Sequence, residues 1–214
     1  MIKFENTDVW GWEHAIRGMR NPLNSWDKID SEGEDLGVND KKLMTRLIEG
    51  GEPHRKFLRQ IMVSVDITAP LYWFKQFDTY RVGITENSTS TMHRLMAKPF
   101  EKSDFSFEKL DGVIEEYWIS ERLDEFNEMR EAYINYDELT AKGELRGITR
   151  KGIWDALIQM LPESYNQKRT VTMNYENLLN ILKYRRGHKL DEWEKFCEWI
   201  SALPNSDILF EGLK

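Results

Sequence analysis

The hydrophobic pattern in the first third of the chain predicts two helices and then a strand. Apolar residues recur at helical spacing in residues 9–28. A second helix is expected to begin at a cap of Asn39 or Asp40 and to end at the glycine pair after residue 49. Strict alternation of apolar and polar residues over 61–68 predicts a half-buried strand.

The remainder of the chain predicts more helices and one further strand. Residues 71–77 form an aromatic helix, 107–141 form one long or two consecutive amphipathic helices, and Thr149 caps a helix that ends before Pro162. A strand over 169–173, a helix over 174–186 and a last helix through 193–200 follow. This order predicts one α+β domain over residues 1–214, with a small, mostly antiparallel sheet packed with several long helices.

Small hydroxyl, amide and cationic side chains concentrate in residues 79–95, directly after the aromatic run. Arg81 and Arg94 bring positive charge and Glu86 brings a carboxylate, while the neutral donors and acceptors are Thr79, Thr85, Asn87, Ser88, Thr89, Ser90 and Thr91. These groups suit a phosphorylated or sugar-bearing ligand, because arginine and hydroxyl groups hydrogen-bond anionic oxygens well. The alternative is a solvated serine- and threonine-rich loop.

Composition restricts the function classes. The net charge of −7 argues against a general nucleic-acid binder or an anionic-membrane binder, so an anionic ligand must be held by local arginines. The single Cys197 cannot form an internal disulfide and is expected to be a buried core thiol. We expect a cytoplasmic protein with no membrane span, because the first residues are not a signal peptide and no long apolar run is present. We also expect no metal site.

The 79–95 segment and its flanks resemble the signature of the flavin-dependent thymidylate synthases, Arg-His-Arg-x-x-Ser-x-Asn-Glu-x-Ser-x-Arg. Positions that keep the family residue are Ala69, Pro70, Gln76 and Arg81. The Asn-Glu pair is reversed at Glu86 and Asn87, and Thr89 replaces the second serine. Positions that depart from the signature are Thr79, Tyr80, Ile84 and Thr91, and Arg94 could replace the arginine missing at Thr91.

A second block, residues 161–194, resembles the carboxy-terminal block of the same family. The positions that fit in one register are Leu161, Pro162, Thr172, Asn174, Leu178, Asn180, Leu182 and Arg185. His188 lies one place from the family histidine, and His54 falls on a histidine that contacts flavin in the family. From the residues alone, an N-cap role is sufficient for Asn174, whereas Asn180 and Arg185 are unusual on so apolar a helix.

The resemblance implies a homotetramer that binds FAD between subunits and transfers a one-carbon unit from methylenetetrahydrofolate to C5 of dUMP, with NADPH as reductant. The implied cofactor contacts are His54, Tyr80, Arg81, Glu86, Asn87, Asn174, Asn180 and His188. The implied nucleotide contacts are Gln76, Ser88, Thr89, Ser90, Arg94 and Arg185, and Arg185 is also the implied catalytic residue. Two alternatives remain open: a related flavoenzyme with another product, such as a hydroxymethyl group, and a non-catalytic nucleotide-binding protein that keeps the fold.

Overall fold

A computed structural model describes residues 1–110, 112–114, 116–211 and 213 of the chain. Its elements in chain order are β1 (Lys3–Trp10), α1 (Trp12–Arg20), α2 (Val38–Glu49), β2 (Met62–Pro70), α3 (Leu71–Phe77), β3 (Thr85–Ser88), α4 (Thr91–Arg94), α5 (Glu116–Ile134), α6 (Tyr136–Ala141), α7 (Arg150–Met160), β4 (Asn166–Asn174), α8 (Tyr175–Arg185), α9 (Asp191–Ser201) and α10 (Asp207–Glu211). The predicted α+β class is confirmed.

The chain divides into two compact units. The larger comprises residues 2–67, 76–87 and 169–214, and the smaller comprises residue 1, residues 68–75 and residues 88–168. The four strands form one small antiparallel sheet in the order β1-β2-β4-β3. In β2 the predicted alternation is present, because Val63, Val65 and Ile67 are buried while the residues between them are only half-buried.

In the larger unit, α8 and α9 supply much of the core. Tyr175, Leu178, Ile181 and Leu182 of α8 are buried, and so are four apolar residues of α9, namely Trp193, Phe196, Cys197 and Ile200. The prediction that Cys197 is a buried core thiol is therefore confirmed. Burial raises the pKa of the Cys197 thiol to about 11, as expected of an inert core thiol.

The smaller unit has a core of its own. Phe100, Phe105, Phe107 and Phe126 pack together there with three aliphatic residues, Leu95, Ile119 and Leu157. The two consecutive helices expected in 107–141 are α5 and α6, but α5 begins only at Glu116. The first residues of the predicted range form turns, and Asp111 and Glu115 lie outside the described residues.

The start of α2 differs from its prediction. The helix begins at Val38 after Gly37, and neither Asn39 nor Asp40 caps it with its side chain. Instead, the carboxylate of Asp30 accepts hydrogen bonds from the backbone N–H groups of Asn39 (2.8 Å) and Asp40 (3.0 Å). A Cβ on Gly37 would lie 2.2 Å from the Asp30 side chain, so this approach requires glycine. The Asp30 side chain, from the preceding loop, therefore acts as the N-cap of α2.

Candidate functional site

The guanidinium of Arg185 is held in a fixed position at the end of α8. Its Nε donates to the hydroxyl oxygen of Tyr80 at 2.9 Å, and its Nη1 donates to Oε1 of Gln76 at 2.9 Å. Gln76 lies near the end of α3, and Tyr80 follows three residues after that helix ends. The resemblance implied Gln76 and Arg185 as nucleotide contacts and Tyr80 as a cofactor contact, and the structure places the side chains of Gln76 and Tyr80 against Arg185.

Aromatic rings support the same guanidinium. Its central carbon lies 4.5 Å from the ring centroid of Trp193 and 5.4 Å from that of Tyr80, distances at which a cation is attracted to an aromatic face. Trp193 is fully buried, so its ring is a rigid support. His188 packs edge-on against Trp193, and its Nδ1 accepts from the backbone N–H of Leu190 at 3.1 Å. We call Gln76, Tyr80, Arg185, His188 and Trp193 the Arg185 cluster.

The loop that carries Tyr80 is hydrogen-bonded to the first turn of α8. Asn174 and Asn177 form a reciprocal capping box, in which each side-chain oxygen accepts from the backbone N–H of the other residue. Asn177 Nδ2 also donates to the carbonyl oxygen of Val82 at 2.6 Å. The capping role weighed for Asn174 is therefore present. Sequence reasoning assigned no function to Asn177, although an asparagine three residues after an N-cap is a recognisable signal.

Glu86, an expected cofactor contact, is already engaged by a cation. Arg169 Nη1 lies 2.8 Å from Glu86 Oε2 and 2.6 Å from Asp78 Oδ1, and the Arg169 side chain is largely buried. Arg81 is exposed and donates from Nε to the carbonyl oxygen of Asp78. Asn87 is exposed on β3. Arg169 was not among the predicted site residues, because its partners lie more than 80 residues earlier in the chain.

Asn180 belongs to a second charged group on α8. Its Oδ1 accepts from Arg55 Nη2 at 3.1 Å, and Arg55 Nε donates to Glu176 at 3.2 Å. Glu176 is 6% exposed and also forms an ion pair with Arg59. The hydrogen bond from Arg59 to Glu176, followed by their charge attraction, raises the pKa of Arg59. Two arginines therefore offset the burial of the Glu176 carboxylate. Sequence reasoning missed this group.

A basic cleft of about 980 Å³ lies in the larger unit and includes His54 at its wall. Its lining residues are Gly18, Met19, Arg20, Asn21, Pro22, Leu23, Ser25, Lys28, Asn39, Lys42, Leu43, Arg46, Leu47, Pro53, His54, Lys56, Phe57 and Gln60. No carboxylate is among these described lining residues, whereas Lys28, Lys42, Arg46 and Lys56 carry positive charge. Arg20 is buried and forms an ion pair with Asp40 at 2.6 Å. The cleft thus combines cations with apolar surface, and suits an anionic organic ligand.

The other predicted nucleotide contacts lie in the smaller unit. Thr89 donates its backbone N–H to the carbonyl oxygen of Lys168 at 2.9 Å, and its own carbonyl oxygen accepts from Gln167 Nε2. The side chain of Ser90 caps α4, accepting from the backbone N–H of His93. Ser88 and Arg94 are exposed. These four residues share the short segment that contains α4.

The described part of the chain contains neither a candidate membrane span nor a candidate metal cluster. No helix there is long and apolar enough to cross a membrane. Within residues 1–110, 112–114, 116–211 and 213, no group of three or more histidine, cysteine, aspartate or glutamate side chains could hold a metal ion.

Comparison with known families gives a match along most of the sequence. The profile of the family described as "Thymidylate synthase complementing protein" matches residues 13–200. A curated relative, the flavin-dependent thymidylate synthase of Streptomyces coelicolor, is 24% identical over 169 residues. That match covers 68% of this chain and 65% of the relative, so the chain spans less than two thirds of the relative's length.

Solved structures share the fold at low sequence identity. Thymidylate synthase X from Helicobacter pylori, solved with FAD and dUMP, has a TM-score of 0.67 and 18% identity, with all of both chains covered. The UMP/dUMP methylase PolB from Streptomyces cacaoi, bound with 5-Br dUMP, has a TM-score of 0.61 and 17% identity. That comparison covers 98% of this chain and 94% of the other.

Proposed function

The chain belongs to the thymidylate synthase complementing protein family, and from this premise we propose that it is a flavin-dependent enzyme that methylates C5 of dUMP to make dTMP. In this proposal methylenetetrahydrofolate supplies the one-carbon unit and NADPH supplies reducing equivalents. The observation that carries the proposal is the Arg185 cluster, in which a guanidinium is held by two hydrogen bonds and two aromatic rings. A cation fixed in advance can stabilise charge that develops on a bound base.

The residues present fit FAD in their chemistry. The basic cleft offers cations for a pyrophosphate, and Asn180 keeps its Nδ2 available because Arg55 occupies its Oδ1. We propose that FAD is held by these groups together with the other residues expected from the signature, namely His54, Tyr80, Arg81, Glu86, Asn87, Asn174 and His188. FAD when bound would supply hydride transfer, while the protein supplies binding and orientation.

The proposed role of Arg185 is to orient the uracil ring and to stabilise negative charge on it. Nη2 of Arg185 has no hydrogen-bond partner among the described residues, so one edge of the guanidinium is open to a ligand. Gln76 would contact the base beside it. Ser88, Thr89, Ser90 and Arg94 are proposed to hold the sugar and phosphate of the nucleotide, since hydroxyl groups and arginine suit anionic oxygens.

A second candidate function is a nucleotide-binding protein without turnover. Two expected cofactor contacts are engaged within the protein: the Tyr80 hydroxyl with Arg185, and the Glu86 carboxylate with Arg169. Both interactions could be retained by a protein that binds a pyrimidine nucleotide after losing flavin. Tyr80 also stands where the family signature has a histidine, and this departure favours the same candidate.

Product identification tests the proposal. The purified protein is incubated with FAD, NADPH, methylenetetrahydrofolate and dUMP, and the nucleotide products are identified by mass spectrometry. The proposal expects dTMP, whose formation requires all four additions. Hydroxymethyl-dUMP as the product would instead support the related flavoenzyme. Bound dUMP that remains unchanged would support the nucleotide-binding protein.

A further inference from the structure

Residues 79–84, which join α3 to β3 and which we call the signature loop, bury little of their own surface. Tyr80 and Ile84 are half-buried, and the other four residues of the loop are exposed. A segment with so little buried apolar surface is held in place mainly by its polar contacts. The positions of Tyr80 and Arg81, two of the proposed flavin contacts, therefore depend on those polar contacts.

Arg169 of β4 connects the two ends of the signature loop. One nitrogen atom, Nη1, donates to Asp78 Oδ1 at 2.6 Å and to Glu86 Oε2 at 2.8 Å. Asp78 directly follows α3 and Glu86 is the second residue of β3, so one carboxylate lies at each end of the loop. The Arg169 side chain is only 13% exposed, and hydrogen bonds between charged groups are stronger than those between neutral groups.

The middle of the signature loop contacts α8 at two points. The Tyr80 hydroxyl accepts from Arg185 Nε at 2.9 Å, and the carbonyl oxygen of Val82 accepts from Asn177 Nδ2 at 2.6 Å. These contacts fix the loop against the helix, whereas Arg169 fixes the distance between the two loop ends. Holding the ends of a loop together removes conformational freedom that opposes the contacts made by its middle.

The charges at the loop ends make closure depend on Arg169. The two carboxylate oxygens share one nitrogen atom, so they are no farther apart than the sum of their distances to it. Within the described part of the chain, no second cation forms an ion pair with Asp78 or Glu86. Both carboxylates are half-buried, where water screens their mutual repulsion only in part. Loss of the Arg169 charge therefore removes two hydrogen bonds and also leaves a repulsion that separates the loop ends.

We propose that Arg169 is a positioning residue, which closes the signature loop at its ends and so holds Tyr80 against Arg185. Arg81 depends on the same closure, because its Nε donates to the backbone carbonyl oxygen of Asp78 at 2.9 Å. The consequence for flavin binding rests on the proposed function, which makes Tyr80 and Arg81 flavin contacts. The closure of the loop by Arg169 does not rest on it.

Limited digestion of the full chain with trypsin tests loop closure without any ligand. Arg81 is exposed, and trypsin cuts after it when the loop opens locally; mass spectrometry identifies the two fragments. Arg169→Met is expected to raise the rate of this cut by about tenfold or more, the factor that corresponds to one lost charge-assisted hydrogen bond. Thr170→Ala is the matched control on β4, since its hydroxyl donates to Asp66 rather than to the loop, and the rate is expected to stay unchanged.

Two further variants separate the charge of Arg169 from the packing of its side chain. Arg169→Lys keeps a positive charge, and the double variant Arg169→Met with Glu86→Gln removes the repulsion between the loop ends. Both are expected to be cut after Arg81 more slowly than Arg169→Met. An unchanged rate in Arg169→Met, an increase that neither variant reduces, or an equal increase at cuts outside the loop overturns the proposal.

Glu86→Gln alone keeps the test decisive if Arg169→Met fails to fold. This variant leaves Arg169 in place and removes one of its two charged partners. It is expected to raise the rate of the cut after Arg81 by a smaller factor than Arg169→Met, and an unchanged rate overturns the proposal.

FAD binding, measured by quenching of flavin fluorescence, tests the positioning role. The dissociation constant for FAD is expected to rise several-fold in Arg169→Met and to recover in part in Arg169→Lys. Faster cutting after Arg81 with an unchanged dissociation constant overturns the positioning role and leaves the proposed function intact. A wild type that binds no FAD, with the digestion results as expected, overturns the proposed flavoenzyme but supports loop closure by Arg169.

Discussion

At the scale of single residues, the role of Arg185 was implied by the family resemblance, and its placement drew attention to it because a guanidinium is unusual on an otherwise apolar helix. The structure gives the placement a physical reason, since Gln76, Tyr80 and Trp193 together surround the cation. The identity of Trp193 as a partner was not predictable, because a buried tryptophan at helical spacing reads as ordinary core. Its contact with a glutamine 117 positions earlier depends on the tertiary fold.

Replacement of Arg185 by alanine is expected to abolish dTMP formation and to weaken dUMP binding. A hydrogen bond to a charged group is typically worth about 1.5 to 3 kcal/mol, which corresponds to roughly 10- to 150-fold in affinity. Steady-state product formation and calorimetric titration with dUMP measure the two effects. Arg186→Ala is the matched control, because Arg186 is exposed and packs on Phe210 outside the Arg185 cluster. Equal losses in both variants would remove Arg185 from its proposed role.

Contacts between residues close in the sequence were predictable, whereas contacts between distant residues were not. Asn174 was predicted correctly as an N-cap because capping is local, with both partners within three residues. The pairings of Glu86 with Arg169, and of Glu176 with Arg55 and Arg59, link positions 83 to 121 residues apart. No spacing pattern reveals such pairs. The roles assigned to individual cofactor and nucleotide contacts stay predictions.

At the scale of secondary-structure elements, regular patterns were predicted well and weak patterns were missed. β2 and β4 were expected, and the alternation in β2 is clear. β1 was not predicted, because most of its residues are exposed on both faces and no period of two is visible. The short α10 was also missed. A strand without an apolar face is detectable only through its pairing with β2.

The start of α2 gives a test at this scale. The Asp30 carboxylate accepts from the backbone N–H groups of Asn39 and Asp40, and chiefly the first of these bonds lowers the pKa of Asp30 below 3.8. The resulting stabilisation is present above pH 3.8 and is lost as the pH falls through the lower, folded-state pKa. Asp30→Asn is therefore expected to lower Tm at pH 7, by a difference that narrows below pH 3.8.

Thermal unfolding followed by circular dichroism over a series of pH values measures this effect. Asp27→Asn is the control, because Asp27 is exposed in the same loop and has no hydrogen bond through its side chain among the described residues. The account would be contradicted if Asp30→Asn lowered Tm by the same amount at every pH, or if Asp27→Asn lowered Tm equally. Either result would show that the Asp30 carboxylate does not stabilise the start of α2.

At the scale of the whole molecule, the family assignment was available from two partial sequence blocks, and the family profile covers both. The single domain over residues 1–214 stays a prediction, and the structure divides the chain into two compact units. The net charge of −7 coexists with a cleft lined by cations. Net charge is a property of the whole chain, so it could not predict where the cationic cleft lies.

A homotetramer is the expected assembly, since the family resemblance implies FAD binding between subunits. Size-exclusion chromatography with light scattering is expected to give four times the 25.5 kDa mass of one chain, with and without added FAD. A tetramer that forms only with FAD would make the cofactor part of the interface. A monomer that still makes dTMP would contradict the shared-site arrangement.

The visible absorption spectrum of the purified protein tests the central claim most directly. The spectrum is recorded after addition of FAD and removal of the unbound cofactor, and again during titration with dUMP. We predict a bound-flavin spectrum that changes with dUMP and saturates, because the base would bind beside the proposed flavin contacts. Absence of bound flavin, even with excess FAD and dUMP present, would contradict the flavoenzyme and leave the nucleotide-binding protein as the better account.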